Sequence, residues 1–395
     1  MRIDTDKPAG DNPAMSTLFS PMTIRDLTLK NRLAVSPMCQ YSARHGLAND
    51  WHLVHLGRFG MGGFGLVTVE ATAVTPEGRI SYGDLGLWTD EQIGPLARIV
   101  DFLHSQGAAA GIQIGHAGRK ASTAIGWRGS FNETEDEKRA AAYEDWEPVA
   151  PSAILHSTGA SGFKVPRELT VAEIGALPEA FAMATRRANA AGFDVVEIHA
   201  AHGYLLNQFL SPVANKRMDE WGGSIENRMR LPLAVARAMR QAWPAHKPLF
   251  ARLSVTDAID GGWNVDDSVT FVNELKAVGV DVIVCSSGGF DGAALKVGPA
   301  YQLPLAAEVG KRTGIATMAV GLITTPEEAE AAVASGDADL IALARTALDD
   351  PQWPLHARMV LGGLEDPYSE WPKQASLAVR NRDRAMRIRG FSKTS

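Results

Sequence analysis

Eight short apolar runs alternate with segments of helical periodicity along these 395 residues. That rhythm predicts an α/β fold, a single (β/α)8 TIM barrel with an N-terminal hairpin and a C-terminal tail. The runs lie at 33–35, 66–70, 110–114, 195–199, 249–253, 281–285, 317–320 and 340–343. They are apolar almost throughout rather than alternating, as strands covered on both faces are. Eight strand–helix units is the number that closes a barrel; an open doubly wound sheet is the competing arrangement.

The intervening segments carry their own signals. The stretch "VAEIGALPEAFAMATRRANAAG" repeats apolar residues at three and four and ends on Gly192, as a helix closing on a left-handed glycine does. "TTPEEAEAAVASG" reads as a Thr325 N-cap, Pro326 at the first helical position, Glu328 completing a capping box and Gly336 closing the helix. Two segments break the rhythm. "LFSPMTIRDLTLKNR" precedes the first strand and reads as a hairpin that caps the barrel floor. The acidic stretch over 127–147, with Pro148 and Pro151 just after it, is a loop insertion placed to shape substrate access. The domain layout expected is a disordered N-terminal tail over 1–16, with Met15 as an alternative start, a barrel over 17–365, and a C-terminal tail over 366–395 that is a candidate subunit contact.

Composition narrows the function. The formal charge is −6 and no basic tract stands within the barrel, which argues against a nucleic-acid partner. The two cysteines, Cys39 and Cys285, fit no zinc or haem spacing and point to a reducing, cytoplasmic setting. No apolar run is long enough to span a membrane. The first residues have no apolar core of the kind a secretory signal needs.

In such a barrel the chemistry belongs at the C-terminal strand ends. Those ends read "SPMCQY", "VEATAV", "IQIGHAGRK", "EIHAAHGY", "FARLS", "CSSGG", "AVGLIT" and "ALART", and every one carries a polar, glycine or sulfur group. At the last two, Gly321 admits close backbone approach and Arg345 offers a planar charged fork, a pairing suited to a phosphate. The fourth end sets His199, His202 and Tyr204 within six residues. Three readings stay open. The imidazoles could share a metal, with Glu70 and His116 as the further ligands on offer. They could be structural. Or they could be two donors aimed at a carbonyl oxygen, with a phenol delivering a proton.

These motifs, together with "NDWHLVHL", "DEWGGSIENRMR" and "LIALART", stand in the order they take in the Old Yellow Enzyme family, which the chain resembles over 18–362. It is most similar to the subgroup with a cysteine in the first strand-end motif, the xenobiotic reductase A group of NADPH dehydrogenases. The resemblance implies an FMN-containing barrel that takes hydride from NADPH or NADH and reduces an activated C=C bond, working as a homodimer or homotetramer. It implies that Ser36, Pro37, Met38 and Cys39 lie against the flavin, with Ala71 beside the ring, Gln113 on its pyrimidine portion and Arg252 near N1. Gly321, Ala344 and Arg345 would hold the phosphate; relatives commonly carry glycine where Ala344 stands. His199 and His202 would bind the substrate carbonyl, Tyr204 would donate the proton, and Tyr41 would line the pocket. Trp371, in "DPYSEWPKQ", is the expected pocket-wall residue from the tail, in its own site or a neighbouring subunit's; packing on its own barrel is the alternative. No metal is expected.

Small activated alkenes are therefore the expected substrates, with enones, maleimides, nitro compounds and nitrate esters all suited to such a site. The competing classes are a metal-dependent barrel lyase or hydrolase using His199 and His202, and a flavin-binding protein without turnover. Relatives that reduce dienoyl-CoA carry an iron–sulfur segment, which two scattered cysteines exclude.

Overall fold

The computed structural model describes residues 16–125, 144–156 and 162–388. All of the expected tail over 1–16 but Ser16, and most of the 127–147 insertion, lie outside them. A hairpin of β1 (Met22–Ile24) and β2 (Leu27–Leu29) is followed by β3 (Leu33–Val35), β4 (Leu66–Ala73) and β5 (Ala109–Gly115). After a two-residue pair, β6 (Val149–Ala150) and β7 (Arg167–Glu168), come β8 (Val195–Ala200), β9 (Leu249–Ser254), β10 (Val282–Ser286), β11 (Ala316–Ala319) and β12 (Leu340–Leu343). Eight of these close on themselves in the order β10-β11-β12-β3-β4-β5-β8-β9, each pair parallel. The barrel reading holds, and the doubly wound sheet does not.

Helices such as Asp50–Met61, Val171–Ala190, Val265–Val278 and Pro326–Ala334 cover the outside. Their starts are written in side-chain chemistry: Asn49, Thr170, Asn264 and Thr325 each accept backbone N–H groups in a capping box. The strand ends differ from expectation most at β4, which runs on to Ala73 instead of stopping near 70. A register shift between Val69 and Thr72 marks a bulge there, at the rim where irregularity re-aims side chains.

The barrel interior is ordered by parity. Successive strand residues face opposite sides. The interior cluster holds Ala34, Leu66, Val195, Phe250, Val282, Met318 and Leu340, with Ile24 and Leu29 of the hairpin closing the floor. Two and four residues farther along the same faces come Ser36, Thr68, Glu70, Glu197, His199, Arg252, Ser254 and Ser286, all buried. Strands β3, β4, β8, β9 and β10 thus run from an apolar floor to a polar rim along a single face, whereas β11 and β12 stay apolar there.

After the barrel, helix Trp353–Leu361 leads to a tail helix, Lys373–Ile388, whose one buried residue is Asp383. The Tyr368 hydroxyl donates to Asp383 Oδ2 at 3.0 Å and ties the tail down.

Leu29 is 1% exposed in the floor. Leu29→Ala should cost about 2–5 kcal/mol, read as a lowered midpoint in denaturant unfolding, with the rim chemistry retained.

Candidate active site

The loop after β3 is the first wall of the site. Its shape is fixed from below by Glu70, whose carboxylate accepts the Gln40 backbone N–H in a very short contact and His52 Nε2 at 3.1 Å. Tyr41 sits at φ +47°, a left-handed conformation this clamp supports. Ser36 is buried, while Pro37, Met38, Cys39 and Tyr41 are half-buried along the cleft side. Cys39 is hydrogen-bonded to the Tyr41 side chain and the Ala71 backbone, which joins three of the expected residues directly. Burial, with Asp84 and Glu70 beside it, pushes the Cys39 thiol well up, so it is neither a thiolate nor a nucleophile at neutral pH.

His199 and Arg252 are register partners on β8 and β9, so they stand side by side at the rim. The His202 ring meets the His199 ring edge-on at 5.2 Å between centroids, and the Tyr204 ring meets it at 4.8 Å. Ala71, Asp84, Gly115, His199 and Tyr204 line one cavity. Burial first, then the Arg252 cation, pushes both imidazoles well below their ordinary range, so both are neutral at physiological pH. The Ala201 N–H donates to His199 Nδ1 at 3.4 Å, which puts that ring's proton on Nε2. His202 Nε2 lies 2.7 Å from Ser286 Oγ, and Ser286 in turn accepts from Gln302 at 3.2 Å. A Ser286 hydroxyl that donates to Nε2 leaves Nδ1–H as the free donor of His202. Burial, with Cys39, Tyr41 and Asp84 nearby, holds the Tyr204 phenol protonated.

His202 itself is left-handed, at φ +60°. Its backbone N–H donates to Ser254 Oγ at 2.9 Å, and its carbonyl accepts Lys120 Nζ at 3.0 Å. Gly289 makes room for the turn: a Cβ there would stand 2.1 Å from the His202 carbonyl carbon.

The second part of the site is a cavity of about 190 Å3 lined by Ser36, Arg252, Gly321, Ala344 and Arg345 among others. Gly321 sits at φ +104°, where a Cβ would also meet Gln302 at 2.9 Å. Arg345 is exposed at the mouth. Arg252 Nη1 donates to Ser36 Oγ at 2.7 Å, while its buried Nε has no partner among the described residues. A bare backbone cradle, an exposed guanidinium and an orphaned buried donor fit a phosphorylated, electron-rich cofactor such as FMN. Gln113 is buried at the adjoining rim, and its amide donates to Glu197 Oε1 at 2.6 Å.

Trp371 is not brought into the cleft of its own chain. It packs with Leu355 and Tyr368 beside helix Trp353–Leu361, with its ring 5.5 Å from that of His356. The metal arrangement is not assembled either. Among the described residues no three His, Cys, Asp or Glu side chains converge, because Glu70 holds His52 and Gln40, and His116 Nδ1 accepts from the Gly118 backbone.

Sequence reasoning also missed Glu197, Asp84, Ser254, Ser286 and Lys120. Glu197 had a signal, an acid inside an apolar strand two residues before His199 and therefore on the same face. The two serines stood in the strand-end motifs but with nothing to mark their partners, since Ser254 matters through the His202 backbone and Ser286 through its ring.

Comparison with known proteins agrees with the barrel and gives the family. The family model described as NADH:flavin oxidoreductase / NADH oxidase matches residues 17–361. An NADPH dehydrogenase of Geobacillus thermodenitrificans is 44% identical over 88% of this chain and 95% of its own. One of Listeria welshimeri is 43% identical over 92% and 99%. Among solved structures, morphinone reductase superposes with a TM-score of 0.72 at 25% identity, covering 92% of this chain and 97% of that one. A 2-naphthoyl-CoA reductase complex gives 0.77 at 28%, covering 89% of this chain and 53% of that one. With its rim motifs, its barrel and these relatives in agreement, the chain belongs to the NADH:flavin oxidoreductase / NADH oxidase family, the Old Yellow Enzyme group that its sequence resembles.

Proposed function

We propose that this flavin-dependent NAD(P)H oxidoreductase is an ene-reductase acting on α,β-unsaturated carbonyl compounds and related activated alkenes. The observation that carries the reading is the trio His199, His202 and Tyr204, two neutral imidazole donors and a protonated phenol packed edge to edge in one cleft. FMN, when bound, supplies the hydride that it has received from NADPH or NADH.

The chain's own residues do the rest. The Ser36–Cys39 loop, Ala71 and Gln113 would form the walls against the flavin. Arg252, with its free Nε, favours negative charge beside it. Gly321, Ala344 and Arg345 would take the phosphate through backbone N–H groups and the guanidinium. His199 and His202 hold the substrate carbonyl oxygen. As hydride reaches the β-carbon, negative charge grows on that oxygen, and fixed donors favour the transition state over the ground state. Tyr204 then gives its proton to the α-carbon; raised as it is, it keeps that proton ready across the neutral range. Tyr41, hydrogen-bonded to Cys39, bounds the substrate side.

Three outcomes follow. Purified protein should be yellow and should develop a long-wavelength charge-transfer band when titrated with a para-substituted phenol; colourless protein that cannot be reconstituted with FMN would overturn the reading. Tyr204→Phe should lower cyclohexenone turnover by roughly a hundredfold or more while NADPH still bleaches the flavin, measured by stopped-flow absorbance. A hydroxyl donates a stronger hydrogen bond than a thiol. Cys39→Ser should therefore raise the flavin midpoint potential and keep ene-reduction; an unmoved potential would remove Cys39 from the flavin's edge.

A further inference from the structure

Lys120 ends the short turn Gly118–Lys120 that follows β5. Its ammonium makes two contacts that no role in the site yet explains. It donates to the His202 carbonyl at 3.0 Å, and it lies 5.1 Å from the centroid of the Tyr204 ring. One cation therefore touches both the strained turn that aims a carbonyl-binding histidine and the face of the proton donor.

The proton donor needs such a neighbour. Giving up its proton leaves Tyr204 as a buried phenolate. Burial, Cys39, Tyr41 and Asp84 all disfavour that anion, while Arg252 favours it. Around Lys120 stand Arg119 on its own turn, Asp291 after β10, His156 after β6, His199 on β8 and His202 just after it. The Lys120 ammonium rests on the ring itself, where a cation meets the negative face of the aromatic system.

We propose that Lys120 is a positioning residue for the protonation step, its ammonium stabilising the Tyr204 phenolate left when the proton goes to the substrate. The inference rests on the ene-reductase reading. In that step the Tyr204 O–H bond breaks and a C–H bond forms at the α-carbon with the electron pair of the substrate enolate. The negative charge moves from enolate to phenolate, where Lys120 neutralises it, and water restores the phenol proton. No electrons are exchanged in this step, because both arrived earlier as hydride from NAD(P)H by way of the flavin.

Burial, and then Arg119, lowers the Lys120 ammonium to about 8. The charge is present below that pH and is lost as pH rises through it. Protonation of an alkene substrate should slow over the same range.

The test uses FMN-loaded holoenzyme, reduced with one equivalent of NADPH and mixed in a stopped-flow instrument with either cyclohexenone or 1,4-benzoquinone. Quinone reduction protonates oxygen and draws no C–H proton from Tyr204. In the wild type, cyclohexenone reduction should fall above about pH 8 while quinone reduction does not. Lys120→Met should slow cyclohexenone at least tenfold more than quinone and abolish that alkaline limb. Lys120→Arg should keep the alkene rate and move the limb beyond pH 10, since a guanidinium does not deprotonate there. Equal losses for both acceptors, or an unmoved limb in Lys120→Arg, would overturn the proposal. Wild-type enzyme that reduces the quinone but no alkene at any pH would instead overturn the ene-reductase reading on which it rests. Should Lys120→Met fail to fold, the limb of the arginine variant decides alone.

Discussion

Closure of eight parallel strands is the constraint on which everything else depends. A closed sheet has no edge, so every strand must send alternate residues inward. The inward column can be apolar only as far as the floor needs filling. Above that level the same faces carry Ser36, Glu70, Glu197, His199, Arg252 and Ser286, all buried and each hydrogen-bonded to a neighbour at the rim or in the loops around it. Gln113 with Glu197 and Arg252 with Ser36 are two such pairs. Buried polar groups left alone would destabilise the barrel, so the rim is a connected belt with a few donors deliberately left over.

The donors left over explain the geometry of the cleft. Its most strained piece, the left-handed His202, is held from several directions at once. Ser254 fixes its N–H, Lys120 its carbonyl and Ser286 its ring, while Gly289 leaves the space for the turn. A residue so over-determined does not drift when a ligand leaves. The imidazole is aimed in advance, which is what a donor must be if it is to favour developing charge.

Much of this was legible in the sequence. The strand runs gave the barrel because apolar continuity and helical periodicity are local properties. Thr325, Pro326 and Glu328 behave as the capping rules require. The clustering of His199, His202 and Tyr204 was visible because one strand end carries all three. What the sequence hid was long-range. Nothing in "GHAGRK" says that Lys120 will meet a carbonyl at residue 202, and nothing in "CSSGG" says that Ser286 will hold an imidazole. The packing of Trp371 within its own chain was hidden for the same reason. A tail aromatic can be placed only by knowing what it packs on, and here Leu355 and Tyr368 lay closer than the cleft.

The neutral state of the two histidines has a consequence for what the cleft retains. Their charge is suppressed by burial and by the neighbouring cations Arg252 and Lys120, so the potential at the two rings is positive although the rings themselves carry no charge. Such a pocket sorts visitors by where they keep their electrons. A molecule whose oxygen can carry negative charge gains from the field and from both imidazole N–H groups, whereas an ammonium gains from neither. On the proposed ene-reductase reading, preference therefore follows electron-rich oxygen more than the carbon skeleton that carries it.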